Sequence, residues 1–145
     1  MKRFILCSLF TALAFTCAPA AESDQEVEAR KVALDRAGAF SNDGFKIRDG
    51  HWSGTVKPGD RAVVAVNLYA GNQYWFSVGS EDKEAKFAVQ LHDETGKAVQ
   101  ADDYKGDATA AAGFSPTISG QYFVSIAPAA GDGNADTFCL VYSYK

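Results

Sequence analysis

Apolar and polar residues alternate along the chain from about position 45 to its end. This period of two is typical of strands that bury one face and expose the other. It is clearest in residues 62–68, 73–78, 87–92, 121–127 and 138–144. Shorter or weaker segments of the same kind bring the number of predicted strands to about eight. One of them lies near residues 98–100, and we expect a polar loop from there to Asp107.

Turn residues separate these segments, and no helical pattern lies between them. Asp49-Gly50 is typical of a hairpin turn, and Asp93–Gly96 places a glycine at the last position of a turn. Strands that are apolar on one face must bury that face against a second sheet. We therefore expect residues 45–145 to form an all-β domain, an antiparallel jelly-roll-like β-sandwich of about eight strands.

The residues ahead of this domain follow a different pattern. From Glu22 to about Ala39 there is no proline, and Ser23 or Asp24 is suited to cap a helix. Acidic residues come first and basic residues later, as the helix dipole favours. The apolar stripe is thin and consists of Val27, Leu34 and Ala37, so residues 21–44 predict a short helical or flexible lead-in.

The start of the chain is typical of a secretory signal peptide. A basic segment precedes the uncharged run Phe4–Cys17, and small residues precede a cleavage position after Ala20. The run has 14 residues, fewer than the roughly 18 that a membrane anchor needs. Lipidation at Cys17 is the other alternative, although the bulky Phe15 before it makes a poor lipidation motif. We expect cleavage of residues 1–20 and a soluble protein that is periplasmic or secreted.

Charge narrows the classes of partner. The full chain has a net charge of −4; cleavage removes two of its 14 basic residues and none of its 18 acidic ones, which leaves about −6. Nucleic acids require basic patches, and anionic membranes attract basic surfaces. We therefore expect neither as a partner. No second apolar run follows the leader, so we expect no transmembrane anchor.

Only Cys139 remains after cleavage, so an internal disulfide is excluded in the processed chain. A buried small hydrophobic residue is the favoured interpretation. Pairing between two molecules is the alternative, and a homodimer could also form through an exposed strand edge.

Several turn and core positions resemble the bacterial pre-peptidase C-terminal domain. The segments LYAGNQYWFSV, FAVQLHDETGKAV and ISGQYFVSIAP carry its glycine-aromatic and turn motifs. The matching positions share structural roles, and they are Gly71, Tyr74, Phe76, Leu91, Asp93, Gly96, Gly120, Tyr122 and Val124. The resemblance implies a small β-sandwich that accompanies secreted proteins and is not catalytic in its own right. Family members usually adjoin an enzyme domain, and this sequence contains none.

No catalytic constellation stands out. The only histidines are His51 and His92, and Ser53 lies two residues from His51, but no nucleophile-elbow motif is present. We therefore predict no catalytic residues. A small hydrolase that uses His51 or His92 is the alternative.

Acidic loop residues offer a candidate metal site. Asp132, Asn134 and Asp136 place oxygens at alternate positions, as calcium loops do. Thr137 and Ser143 stand where an EF-hand needs glycine and glutamate, so that motif is excluded. A looser calcium site remains a hypothesis, helped by three further acidic residues, Asp102, Asp103 and Asp107. A solvated turn is the alternative.

Three aromatic residues are the predicted ligand-binding positions: Trp52, Trp75 and Tyr104. By alternation Trp75 points away from Tyr74 and Phe76, and an exposed tryptophan suits a sugar ring or an apolar patch of a protein. The alternative is that the N-terminal helix covers Trp75. The sequence thus favours an exported, non-catalytic binding or accessory module for a carbohydrate or a protein. A structural, envelope-associated interaction protein is the alternative.

Overall fold

The computed structural model describes residues 20–130 and 133–145. Apart from Ala20, the predicted signal peptide lies outside the described residues. The elements follow in chain order: α1 (Asp24–Gly38), a 3-10 turn (Ser41–Asp43), β1 (Lys46–Ile47), β2 (Trp52–Val56), β3 (Ala62–Leu68), β4 (Tyr74–Gly79), β5 (Lys86–His92), β6 (Asp102–Gly106), β7 (Thr109–Phe114), β8 (Gly120–Ala130) and β9 (Asp136–Tyr144).

The strands form two antiparallel sheets that pack face to face. The larger sheet has the order β1-β9-β4-β7-β6, with β2 also paired to β9, and the smaller sheet has the order β3-β8-β5. The prediction of an antiparallel β-sandwich behind a short N-terminal helix is confirmed. The described residues form nine strands, where the alternation pattern indicated about eight.

The two sheets bury the apolar faces that alternation predicted. The largest side chains with almost no exposure come from both sheets, and they include Leu68, Phe76, Phe87, Leu91, Ile126 and Leu140. Burying an aliphatic or aromatic side chain of this size contributes about 1.5–3 kcal/mol. The interior between the sheets is therefore the main source of stability in a domain without disulfides.

The Asp49-Gly50 turn does not form the predicted hairpin. Both β1 and β2 run antiparallel to β9, with Ile47 opposite Ser143 and Trp52 opposite Leu140. β1 and β2 therefore run in the same direction. From Ile47 to Trp52 the chain advances five residues, whereas the paired segment of β9, between Leu140 and Ser143, advances three. The two extra residues form a bulge, and Gly50 adopts the left-handed φ of 99° that this bend requires.

A second difference concerns the polar stretch that ends at Asp107. It was expected to be a loop after a short strand near Ala98, but Ala98 makes only an isolated bridge to His92. Residues 102–106 instead form β6, which pairs with β7 at the edge of the larger sheet. Four of its five side chains are exposed. A strand without a buried face carries no alternation, so the pattern could not reveal it.

Helix α1 begins with the capping interaction that the sequence suggested. The Ser23 hydroxyl accepts a hydrogen bond from the Glu26 amide at 3.2 Å, and the Glu26 carboxylate accepts one from the Ser23 amide at 2.8 Å. The bonds from the Ser23 amide and then its hydroxyl lower the pKa of Glu26. Among the described residues, no helix has the length and apolar character needed to cross a bilayer.

The buried face of α1 consists of small residues. Ala29, Ala33 and Ala37 pack on the outer face of the larger sheet, against Cys139 and Val141 of β9. The sequence had assigned the apolar stripe to Val27, Leu34 and Ala37, but Val27 and Leu34 are exposed. The helix therefore contacts the sheet through alanine side chains.

The contact between α1 and the sheet is closest at Gly79. A Cβ atom added there would lie 2.4 Å from the Ala33 nitrogen and 2.8 Å from the Ala29 carbonyl oxygen. Both are backbone atoms, so the helix as a whole would have to move. Gly79 therefore sets the distance between the helix and β4.

We expect Gly79→Ala to displace α1 and to lower the free energy of unfolding by about 1–3 kcal/mol, as overpacking does. Urea unfolding, followed by tryptophan fluorescence, measures this loss. Gly38→Ala is the matched control, because a Cβ at Gly38 meets nothing within 4 Å. Equal unfolding midpoints for Gly79→Ala and the wild type would contradict the close contact.

Candidate functional site

The sandwich is open along one side, where β2 of the larger sheet faces β3 of the smaller sheet. A cleft of about 450 Å³ lies there. Its lining is rich in aromatic and amide side chains and consists of Arg48, Trp52, Ala65, Val66, Asn67, Tyr69, Asn72, Tyr74, Tyr142 and Tyr144. We call this feature the tyrosine cleft. Of the three predicted ligand-binding aromatics, only Trp52 lines it.

The loop from β3 to β4 forms one wall of the tyrosine cleft. The buried Tyr74 hydroxyl accepts hydrogen bonds from the Tyr69 amide at 3.0 Å and from Asn72 Nδ2 at 3.1 Å. Gln73 exchanges two backbone hydrogen bonds with Lys145, at 2.9 and 3.0 Å. These hydrogen bonds fix the loop against the sandwich, so the backbone that carries Tyr69 is ordered.

Tyr142 is buried and contacts three other residues of the cleft, Trp52, Tyr74 and Arg48. Its ring lies 6.0 Å from that of Trp52 at an interplanar angle of 14°, and 6.2 Å from that of Tyr74. The Arg48 guanidinium donates a hydrogen bond to the Tyr142 hydroxyl and lies 5.4 Å from its ring centroid. A cationic group is thus held over an aromatic face at the cleft.

Two strongly exposed apolar side chains lie on loops at this end of the domain. Ile118 is 72% exposed and Tyr69 is 63% exposed, the two highest values among the large hydrophobic residues that the structure describes. Their loops are joined by a hydrogen bond of 2.9 Å from the Ala70 amide to the Ser119 hydroxyl. We call Tyr69 and Ile118 the loop pair.

Trp75 and Tyr104 lie on the other side of the larger sheet, near the end of α1. The Phe40 ring stacks on Trp75 at 4.3 Å and 7°. The Arg36 guanidinium lies 4.0 Å from the Tyr104 ring centroid and 4.7 Å from that of Phe40. These contacts anchor the end of the helix, and Phe40 covers one face of Trp75. A ligand role for Trp75 and Tyr104 stays a prediction.

The two histidines lie on different elements and contact different groups: His51 directly precedes β2, and His92 ends β5. His51 Nε2 is 3.1 Å from a Glu22 carboxylate oxygen, and the other oxygen of that carboxylate pairs with Arg30 at 2.6 Å. His92 Nε2 is 3.3 Å from the Ser125 hydroxyl. Neither histidine lines the tyrosine cleft.

The acidic candidates are spread over several elements. Asp132 lies outside the described residues, whereas Asn134 is exposed and Asp136 is buried at the start of β9. In residues 20–130 and 133–145, no group of three or more His, Cys, Asp or Glu side chains is placed to hold a metal ion. The calcium site stays a prediction.

The three further acidic candidates are similarly dispersed. Asp102 and Asp103 are exposed on β6. Asp107 forms an ion pair with Lys86, whose hydrogen bond and charge lower the pKa of that carboxyl. These contacts account for Asp107 without a metal ion.

Cys139 is fully buried beneath α1, which confirms the prediction of a small core residue. Burial raises the pKa of its thiol. The thiolate is the reactive form, so both burial and the raised pKa make this cysteine inert.

We expect the Cys139 thiol of residues 21–145 to resist Ellman's reagent at pH 8 and to react fully once the protein is unfolded in guanidinium. Because the pKa is raised, the reaction of the folded protein should accelerate only at a pH above the range usual for a free thiol. Absorbance of the released chromophore measures both rates. Labelling of the folded protein as fast as that of free glutathione, or a dimer that disappears with reductant, would contradict this.

Among the residues that line the tyrosine cleft, sequence reasoning names only Trp52 as a ligand-binding candidate, and that role stays a prediction. Alternation puts Tyr142 and Tyr144 on one face of the last strand with Phe138 and Leu140, and it puts Arg48 on a short alternating segment. The one available indication was Tyr69, an aromatic residue directly before the turn Ala70-Gly71-Asn72. A large apolar residue at a turn is often exposed, but the pattern does not show what lies beside it.

The fold and the cleft together define an antiparallel β-sandwich with a lateral site. No protein-family model and no curated protein matches the chain. Among solved structures it is similar to Aeromonas hydrophila PliG, a periplasmic lysozyme inhibitor of g-type lysozyme, with 17% identity over 66% of this chain and 85% of that chain, and a TM-score of 0.49. A likeness of this degree carries no conclusion about function. The relation to the pre-peptidase C-terminal domain stays a prediction.

Proposed function

We propose that this chain is an exported, non-catalytic module that binds a protein partner through the tyrosine cleft and the loop pair. The observation that carries this proposal is the exposure of Tyr69, one of five aromatic residues that line the cleft, and of Ile118 on the loop that a hydrogen bond joins to the loop of Tyr69. Leaving two such side chains in water is unfavourable, and contact with a partner would remove them from it.

The composition of the site supports a protein interface. Tyrosine, tryptophan and arginine are enriched where proteins bind each other, because they bury a large area with few rotatable bonds and keep a polar end. The cleft takes these residue types from the larger sheet, from Arg48 directly after β1 and from Tyr69 in the β3–β4 loop. A central pocket beside exposed apolar side chains is the arrangement in which binding energy concentrates.

The rigidity of the site also supports binding. Tyr74 holds the β3–β4 loop, and Lys145 closes it from the other side. A surface that is already ordered loses little conformational entropy when it binds. A hydrolase that uses His51 or His92 at this site would need one of them in the cleft, and neither lines it.

The proposal can be tested with a photo-crosslinking amino acid placed at Tyr69, Ile118 or Val63 in cells of the native host. Val63 is the matched control: it is 56% exposed and lies on β3, but it is not part of the cleft lining. We expect one protein to be captured from positions 69 and 118 and not from 63. Mass spectrometry of the adducts identifies that protein.

With that protein purified, Tyr69→Ala together with Ile118→Ala should weaken binding about tenfold or more, and Val63→Ala should leave it nearly unchanged. Calorimetry measures the three affinities. Equal capture from all three positions would overturn the proposal. So would binding of a glycan on an array that is lost with Trp52→Ala, in the absence of any protein adduct.

A further inference from the structure

Resting on the proposed function, we propose that Arg48 is the charged anchor of the tyrosine cleft and that it binds a carboxylate from an acidic segment of the partner protein. The partner would thus insert an Asp or Glu side chain between Arg48 and the surrounding aromatic rings. Neither the resemblance nor the comparisons assign a role to this residue.

The cleft differs in charge from the rest of the chain. The chain has a net charge of −4 and 18 acidic residues, yet within residues 20–130 and 133–145 no Asp or Glu lines the cleft, and Arg48 is the one charged residue that does. The remaining polar groups there are neutral hydroxyls and amides. An anionic group would therefore meet attraction in the cleft, and a cationic group would meet repulsion.

Arg48 is held in place by contacts that leave its charge uncompensated. Its amide donates to the Tyr142 carbonyl oxygen at 2.9 Å, and its guanidinium donates to the Tyr142 hydroxyl while lying over that ring. Within the described residues it makes no ion pair, unlike Arg30, which pairs with Glu22. A guanidinium has five N–H donors, so several stay available for a carboxylate.

The register of β1 against β9 explains why this arginine is in reach of the cleft: Arg48 continues that register opposite Tyr142 and so lies on the same face of the sheet. Arg48 is the first residue after β1, and the two extra residues before Trp52 interrupt the regular pairing with β9. Gly50 allows the bend. Arg48 therefore lies beside Tyr142 on the interior face, and the bulge that follows it places Trp52, opposite Leu140, next along that face.

A carboxylate is the anion that this geometry suits. Arginine binds carboxylates through two parallel hydrogen bonds, and these are stronger than bonds between neutral groups. The Tyr142 hydroxyl, which accepts from Arg48, still has its own proton to donate to an incoming oxygen. The nearby aromatic rings would cover the methylene groups of an Asp or Glu side chain and exclude water from the pair.

The test uses N-acetyl-glutamate α-amide, which carries one side-chain carboxylate, and N-acetyl-glutamine α-amide, which is neutral. Each is titrated into ¹⁵N-labelled residues 21–145 and followed by NMR at the indole N–H of Trp52, with that of Trp75 as an internal reference. We expect the glutamate compound to shift Trp52 and not Trp75, with an affinity about tenfold or more above that of the glutamine compound. Added salt should weaken this binding.

Arg48→Gln should abolish the preference for the carboxylate, and Arg48→Lys should retain part of it. Arg61→Gln is the matched control, because Arg61 is an exposed arginine that precedes β3 and does not line the cleft. Thermal unfolding of each variant shows that the fold is retained.

Equal affinity of the two compounds, an unchanged preference in Arg48→Gln, or no shift of Trp52 with either compound at about 50 mM would overturn the inference. The proposed function is tested separately, by the crosslinking experiment. If crosslinks from positions 69 and 118 persist and Arg48→Gln does not lower the affinity for the captured partner protein, the site binds a protein but Arg48 is not its carboxylate anchor.

Discussion

The pairing of β9 with its neighbours is the interaction on which the rest of the structure depends. β9 lies inside the larger sheet and pairs with β4 on one side and with β1 and β2 on the other. Its residues from 138 to 143 are buried, with Leu140 and Tyr142 toward the smaller sheet and Cys139 and Val141 toward α1. Loss of this strand would separate the helix, the sandwich interior and the cleft at once.

The two faces of β9 carry side chains of different size and contact different parts of the structure. The side under α1 has only small residues, because Gly79 brings the helix backbone against the sheet. The side toward the smaller sheet carries large aromatic residues, which fill the interior as far as the open side. There the strand presents Tyr142, so the residue that completes the core also supports Arg48. The cleft is thus continuous with the packed interior, and this continuity gives it a fixed shape.

The cleft exists because the two sheets close unequally. The smaller sheet has three strands, and the larger one has six. β1 and β2 therefore extend beside β3 without pairing to it, and their side chains line the gap. A sandwich needs no such opening for stability, since filling the gap with apolar side chains would add buried area. An open, ordered and aromatic gap is typical of a site where something binds.

The sequence by itself determined the sandwich. Alternating residues such as Phe76, Leu91 and Val124 place one face of each strand in the interior, because a period of two admits no other burial. It also determined the start of α1, since the Ser23 cap is a local interaction. Strand β6 has no buried face, so its sequence shows no alternation from which the strand could be predicted.

Only the tertiary structure decided where the aromatic residues act. Trp52, Trp75 and Tyr104 have similar chemistry, and alternation says which side each faces but not what lies opposite. The path of the chain brought Phe40 and Arg36 to Trp75 and Tyr104, and brought Arg48 to Trp52 through a bulge. Contacts between distant segments depend on sheet order and strand register, and neither is encoded in the spacing of residues along one strand.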